Sequence, residues 1–153
     1  MSIKLTEPEL EEYLTRGHTL ILATIRKSGE PFMTPLWYVW RDGAFIVRTP
    51  ARSAKAKHIA RDPRVCVLVE DGKAWVDLRA VVANCDAERI EDKEAIRLLA
   101  DAIDTKYAGF RRDTAKTPAA TERHYATMFA YFKLTPRPGE IRSWYNRKIR
   151  ARG

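Results

Sequence analysis

Between Asp42 and Asp62 the chain carries Arg48, Arg52, Lys55, Lys57 and Arg61 and no acid. Residues 49–63 read Thr-Pro-Ala-Arg-Ser-Ala-Lys-Ala-Lys-His-Ile-Ala-Arg-Asp-Pro. Ser53 is a good N-cap, and Ala56, Ile59 and Ala60 recur at i, i+3 and i+4, so the spacing predicts a short helix with one small apolar face. Pro63 disfavours helix at Asp62 and stops it there. The apolar run 44–47 ahead of it reads as a strand. A helix N-terminus already carries partial positive charge and unpaired N–H groups. Arg52 and Lys55 around that end cost repulsion unless an anion sits there. The chemistry these residues could do is phosphate binding at a strand-to-helix junction. The plain alternative is a solvated basic helix face, the commoner meaning of a charge run.

Other chemistries find little support. No Ser-His-Asp or paired-carboxylate arrangement is visible, which argues against hydrolysis. His18, His58 and His124 lie far apart, and none has Cys or His at metal-ligand spacing, so no metal site is expected. Cys66 and Cys85 are isolated and make neither a disulfide framework nor a metal motif. Trp37, Trp40, Trp75 and Trp144 could floor a planar cofactor, although a strand tryptophan is more often core or dimer interface. Trp144 stands out because its context is polar and basic. Tyr38, Tyr145 and His124 could donate protons; each also has a structural reading.

These residues need a scaffold, and 153 residues suit a single domain, 1–153, with its own core. Residues 1–17 hold an amphipathic helix over 6–14, capped by Thr6 and acidic in its first turn. Residues 20–25 read as a strand, Lys27-Ser28-Gly29-Glu30 as a turn and 31–40 as its hairpin partner, with Pro35 marking an edge, a bulge or a departure from the ladder. Asp42-Gly43 signals a second hairpin into a strand over 44–48. Strands follow over 65–69 and 74–90, with Asp71-Gly72 turning between them. Residues 88–99 read as a helix, 106–121 as a loop, 124–134 as a strand and 140–144 as a short last strand after the turn Pro136-Arg137-Pro138-Gly139. Residues 145–153 form a basic tail. Six or seven strands, three hairpins and peripheral helices predict a mainly β, antiparallel barrel.

The net charge of +8 and pI of about 9.7 predict attraction to an anion: a phosphorylated cofactor, an acidic substrate or nucleic acid. A basic nucleic-acid-binding barrel with strand aromatics is the less favoured reading, and it predicts steep loss of binding with salt. No run of twenty apolar residues is present, the acidic N-terminus is no signal peptide, and a cytoplasmic location follows as the default.

The ordered pieces resemble the pyridoxamine 5′-phosphate oxidase-like split-barrel family. They are the Ser-Gly turn followed by Pro31-Phe32-Met33-Thr34-Pro35-Leu36-Trp37-Tyr38, then Arg48-Thr49, then the basic junction running to Asp62-Pro63, then the strand over 65–70, its turn and the long strand, and last Glu140-Ile141-Arg142-Ser143-Trp144. The resemblance spans about residues 20–144 and is nearest to the small members that use FMN or the deazaflavin coenzyme F-420. It implies a homodimeric split barrel acting as a flavin-type oxidoreductase on a small organic substrate, with cofactor sites at the subunit interface. It carries phosphate binding to Arg52, Ser53 and Lys55, with Lys57 adjacent, and a hydroxyl at the strand end to Thr49. The ring would pass along the backbone of Met33, Thr34, Pro35, Leu36 and Trp37, and Trp144 would stand near it, from the same or the second subunit. Adjacent bases in the pyridoxamine phosphate oxidases proper are Ala54-Lys55 here, and their Arg–His signature after Trp144 is absent, which argues against vitamin B6 oxidation. A non-catalytic flavin or haem carrier is the alternative within the same fold.

Overall fold

A computed structural model describes residues 2–111 and 128–149. Its seven strands are β1 (Leu20–Ile25), β2 (Pro31–Leu36), β3 (Tyr38–Arg41), β4 (Ala44–Pro50), β5 (Arg64–Asp71), β6 (Arg79–Ile90) and β7 (Phe129–Tyr145). Three α-helices accompany them: α1 (Glu7–Arg16), α2 (Ala54–Arg61) and α3 (Lys93–Lys106). All pairings are antiparallel, in the order β2-β1-β5-β6-β7-β4-β3.

That order forces closure. The two edge strands, β2 and β3, are separated in sequence only by Trp37, and one residue spans only about 3–4 Å. The sheet must therefore curl until its two ends meet at Trp37, as in a split barrel. The expected single strand over 31–40 is thus two strands that serve opposite edges. Pro35 sits opposite Ile21 on the edge strand β2, where its missing N–H disturbs no inner ladder.

Local chemistry explains the corners. Arg41 pairs with Ala44 across a two-residue turn in which Asp42 (φ 51°) and Gly43 (φ 72°) are both left-handed, the conformation that Asp-Gly hairpins favour. Thr6 and Glu9 cap α1 reciprocally.

Three expectations need correction. The helix over 88–99 starts later: Glu88, Arg89 and Ile90 pair with β7, Asp92 caps, and α3 runs from Lys93 to Lys106. The strand expected over 74–90 begins with a 3-10 turn at Trp75–Asp77. The turn expected at 136–139 is instead an irregular part of the 17-residue β7, with Gly139 at φ 75° and a register shift between Ala83 and Cys85 on the partner strand. His124 and residues 112–121 of the expected loop lie outside the described residues.

Cross-strand partners share a face, so the registers sort the sheet. The inward face carries Leu20, Leu22, Val67, Val69, Val81 and Ala83 into one core with Tyr13, Leu14, Ala56 and Ile59 of the helices. A second cluster packs Leu99 and Ile103 of α3 on Val39, Ile46 and Tyr131. The outward face of β2-β1-β5-β6 carries Met33, Pro35, Ile21, Ala23, Leu68 and Val82, all partly or fully exposed.

Candidate functional site

At the end of β4 the Thr49 side chain is buried, and its hydroxyl lies 3.1 Å from the Ser53 hydroxyl. Ser53 caps α2 by accepting from the Ala56 N–H at 3.2 Å. The N–H groups of Ala54 and Lys55 have no acceptor among the described residues, as expected in a first helical turn. That turn contains no acid. The junction therefore gathers two hydroxyls and two backbone donors under a positive helix end.

The cations divide by helical position. Ala56 and Ile59 face the core. Lys55 sits beside that face, partly buried, with no carboxylate in ion-pair range among the described residues; burial pushes its pKa below the ordinary lysine value. Arg52 is exposed and likewise unpaired among the described residues. Lys57 points to the opposite stripe, with His58 and Arg61, and lines a groove against the β1–β2 turn. Arg48 leaves the set: its guanidinium binds Asp104 of α3 at 2.7 Å. A partner 56 positions away in sequence was not visible in the local charge run.

On β2, Phe32, Thr34 and Leu36 point inward, and Met33 and Pro35 point outward. The Thr34 hydroxyl is buried without a partner among the described residues, which costs about 1–3 kcal/mol. Trp37 stacks on Tyr107 with ring centres 4.4 Å apart and rings 3° from parallel. Its indole packs with the α3 cluster, so within one protomer it belongs to the core beside α3, and only its backbone stays at the β2–β3 break. Trp144 pairs with Ala80 on β6, in the outward row that includes Val82 and Leu68. One protomer thus joins Thr49, Ser53, Lys55 and Arg52 at the junction, with Lys57 one stripe away, and leaves Trp144 on the outer sheet face.

Two possible proton donors are engaged otherwise. The Tyr38 hydroxyl is fully buried and donates to the Leu14 carbonyl at 2.6 Å; burial and the neighbouring Tyr107 push its pKa far up. Tyr145 lies beside the Arg79 guanidinium. Among the described residues no group of His, Cys, Asp and Glu could hold a metal ion, and no helix is long and apolar enough to cross a membrane.

The family model described as pyridoxamine 5′-phosphate oxidase matches residues 6–142. A conserved hypothetical protein of Mycobacterium tuberculosis is 31% identical, with TM-score 0.80, covering 99% of this chain and 94% of that one. An F-420 reductase superposes with TM-score 0.61 at 22% identity, covering 83% of this chain and 92% of that one. The haem storage protein of Vibrio cholerae superposes with TM-score 0.69 at 17% identity, covering 96% and 99%. No curated protein matches the sequence.

Proposed function

Because the chain belongs to the pyridoxamine 5′-phosphate oxidase family, we propose that it binds a flavin-type cofactor, FMN or the deazaflavin F-420, and moves a hydride between it and a small organic substrate. The observation that carries this reading is Lys55: a partly buried cation with no carboxylate among the described residues, beside two helix N–H groups likewise unpaired among them and the Thr49–Ser53 hydroxyl pair. An anionic phosphate satisfies all of these at once.

When bound, the ring supplies hydride chemistry and the protein supplies position and charge. Ser53, Lys55, Arg52 and the α2 N-terminus hold the phosphate, with Lys57 close by. The backbone of residues 33–37 lies where the split barrel changes edges, so its peptide groups can face the ring. An N–H or cation near the ring's carbonyl edge would stabilise negative charge on reduction.

The assembly we propose is a homodimer. The apolar outward face of β2-β1-β5-β6 needs cover, and a second copy laid on it would bring its Trp144 toward the first copy's β2. The cytoplasm is the compartment we assign, since Cys66 and Cys85 are both unpaired thiols.

One observation favours a second reading, a carrier without turnover. Among the described residues the junction offers two aliphatic hydroxyls and cations but no histidine, carboxyl or phenol to act as a proton donor, and Tyr38 is sealed in the core. Titration of the purified protein with FMN and F-420, followed by their visible absorbance, tests binding; micromolar affinity or better for one of them is expected. Absence of binding to both overturns this choice of cofactor, and absence of FAD binding as well overturns the flavin-type reading. Binding without cofactor reduction or reoxidation across a panel of small acceptors leaves the carrier reading.

A further inference from the structure

Helix α2 presents Ala54, Lys57, His58 and Arg61 at i, i+3, i+4 and i+7, which places them on one face. That face looks at the β1–β2 turn, and together they line a groove of about 550 Å³ with Arg26, Lys27, Ser28 and Phe32. Four of its eight residues are permanently cationic and none is an acid. Of the nearest acids in sequence, Glu30 stands at the rim, accepting from the groove's own Ser28 at 3.2 Å, and Asp62 is bound by Arg64 at 2.8 Å, so the cations outnumber the carboxylates at the groove.

Two of the four cations are held in place. Arg61 donates to the Ile25 carbonyl at 2.9 Å. The Arg26 guanidinium lies over the Phe32 ring, 5.0 Å from its centre. His58 sits 2.8 Å from the Thr24 hydroxyl and edge-on to Phe32. Burial, then Arg61 and Arg26, push the His58 pKa down, so the imidazole adds hydrogen-bonding capacity and little charge. Like charges gathered over an aromatic floor repel unless an anion neutralises them. The groove is also too large for one inorganic anion and falls within the usual size of ligand clefts. Ala54 belongs both to this wall and to the first turn of α2, so a ligand whose phosphate sits at Ser53 and Lys55 has its next atoms at the groove mouth.

We propose that the groove binds the anionic extension that a flavin-type cofactor carries beyond its first phosphate, whether the second phosphate of FAD or the carboxylate tail of F-420. The proposal rests on the flavin-type reading above. It makes the protein selective: FMN, which ends at its phosphate, leaves the groove unused.

The test compares equilibrium binding of FMN, FAD and F-420 to the wild-type protein and to the double variant Arg26→Gln/Lys27→Gln. Both changes lie at the turn and away from the Ser53–Lys55 junction, and thermal melting checks the fold. Wild type should bind at least one extended cofactor about tenfold or more tightly than FMN, the scale of one charged hydrogen bond. The double variant should lose that advantage while keeping its FMN affinity. Loss for FAD alone identifies the pyrophosphate as the ligand, and loss for F-420 alone identifies the carboxylates. Equal affinity for all three cofactors in the wild type, or an advantage that survives the double change, overturns the groove assignment and leaves the junction intact. Failure of all three to bind overturns the flavin-type reading itself and this inference with it.

Discussion

Replacing Lys55 by Ala separates a ligand-binding cation from a structural one. Its ammonium is partly buried, burial alone lowers its pKa, and no carboxylate pairs with it among the described residues. It therefore contributes little favourable electrostatics to the protein without ligand. A charged hydrogen bond to phosphate contributes about 1.5–3 kcal/mol, which corresponds to about tenfold to somewhat over a hundredfold in Kd. The expected pattern is a cofactor affinity weakened by that factor with a melting temperature of the ligand-free protein that is unchanged or slightly raised. Lys55→Arg, which keeps the charge, should recover part of the affinity. Fluorescence or absorbance titration measures the first quantity and differential scanning calorimetry the second. Unchanged affinity in Lys55→Ala refutes the phosphate assignment. A drop of many degrees in the ligand-free melting temperature instead shows that Lys55 holds the fold, which contradicts the reasoning above.

Two further predictions test the scaffold. A Cβ added at Gly17 would collide with the Tyr38 hydroxyl and lie 2.8 Å from Val69 Cγ1, so Gly17→Ala should destabilise by about 1–3 kcal/mol, as overpacking does, and lower the melting temperature by several degrees; an unchanged midpoint would show that α1 docks differently. Lys106 donates to the Tyr38 carbonyl at 2.9 Å, and burial lowers its pKa to about 8 from the ordinary 10.5. Between these values the unfolded chain holds a proton that the folded protein has released, so this group raises stability as pH climbs through that window. The burial-raised Cys85 thiol, pushed up to about 12, acts in the opposite direction. It is present in both proteins and cancels when wild type is compared with Lys106→Met. The melting temperature of wild type minus that of Lys106→Met should grow from pH 7 to pH 10; a flat or falling difference contradicts the burial of that ammonium.

Local chemistry made much of this legible. Ser53 as a cap, Asp42-Gly43 as a hairpin and the Ala56–Ile59 face of α2 follow from side-chain hydrogen bonding, backbone conformation and period. What the local pattern hid was decided by pairing at a distance. Residues 88–90 show helical spacing but are claimed by the ladder with β7. The Pro-rich stretch at 136–139 looks like a turn, yet β7 needs only an irregularity there because β6 pairs with it on both sides of that stretch, at 131–136 and again at 141–145. At the site, the charge run showed which cations were local, and it could not show that Asp104 would neutralise Arg48. Nor could it show that helical phase would divide Lys55 from Lys57, or that Trp37 would stack on Tyr107 from a later helix.

The central claim is that the start of α2 holds the phosphate of a flavin-type cofactor. A crystal structure of the protein grown with the tighter-binding cofactor tests it most directly. The account predicts phosphate oxygens within about 2.7–3.2 Å of the Ser53 hydroxyl, the Lys55 ammonium and the Ala54 or Lys55 N–H, with a second copy covering the β2-β1-β5-β6 face. A cofactor phosphate bound elsewhere, with Lys55 and Ser53 turned to water, would contradict it.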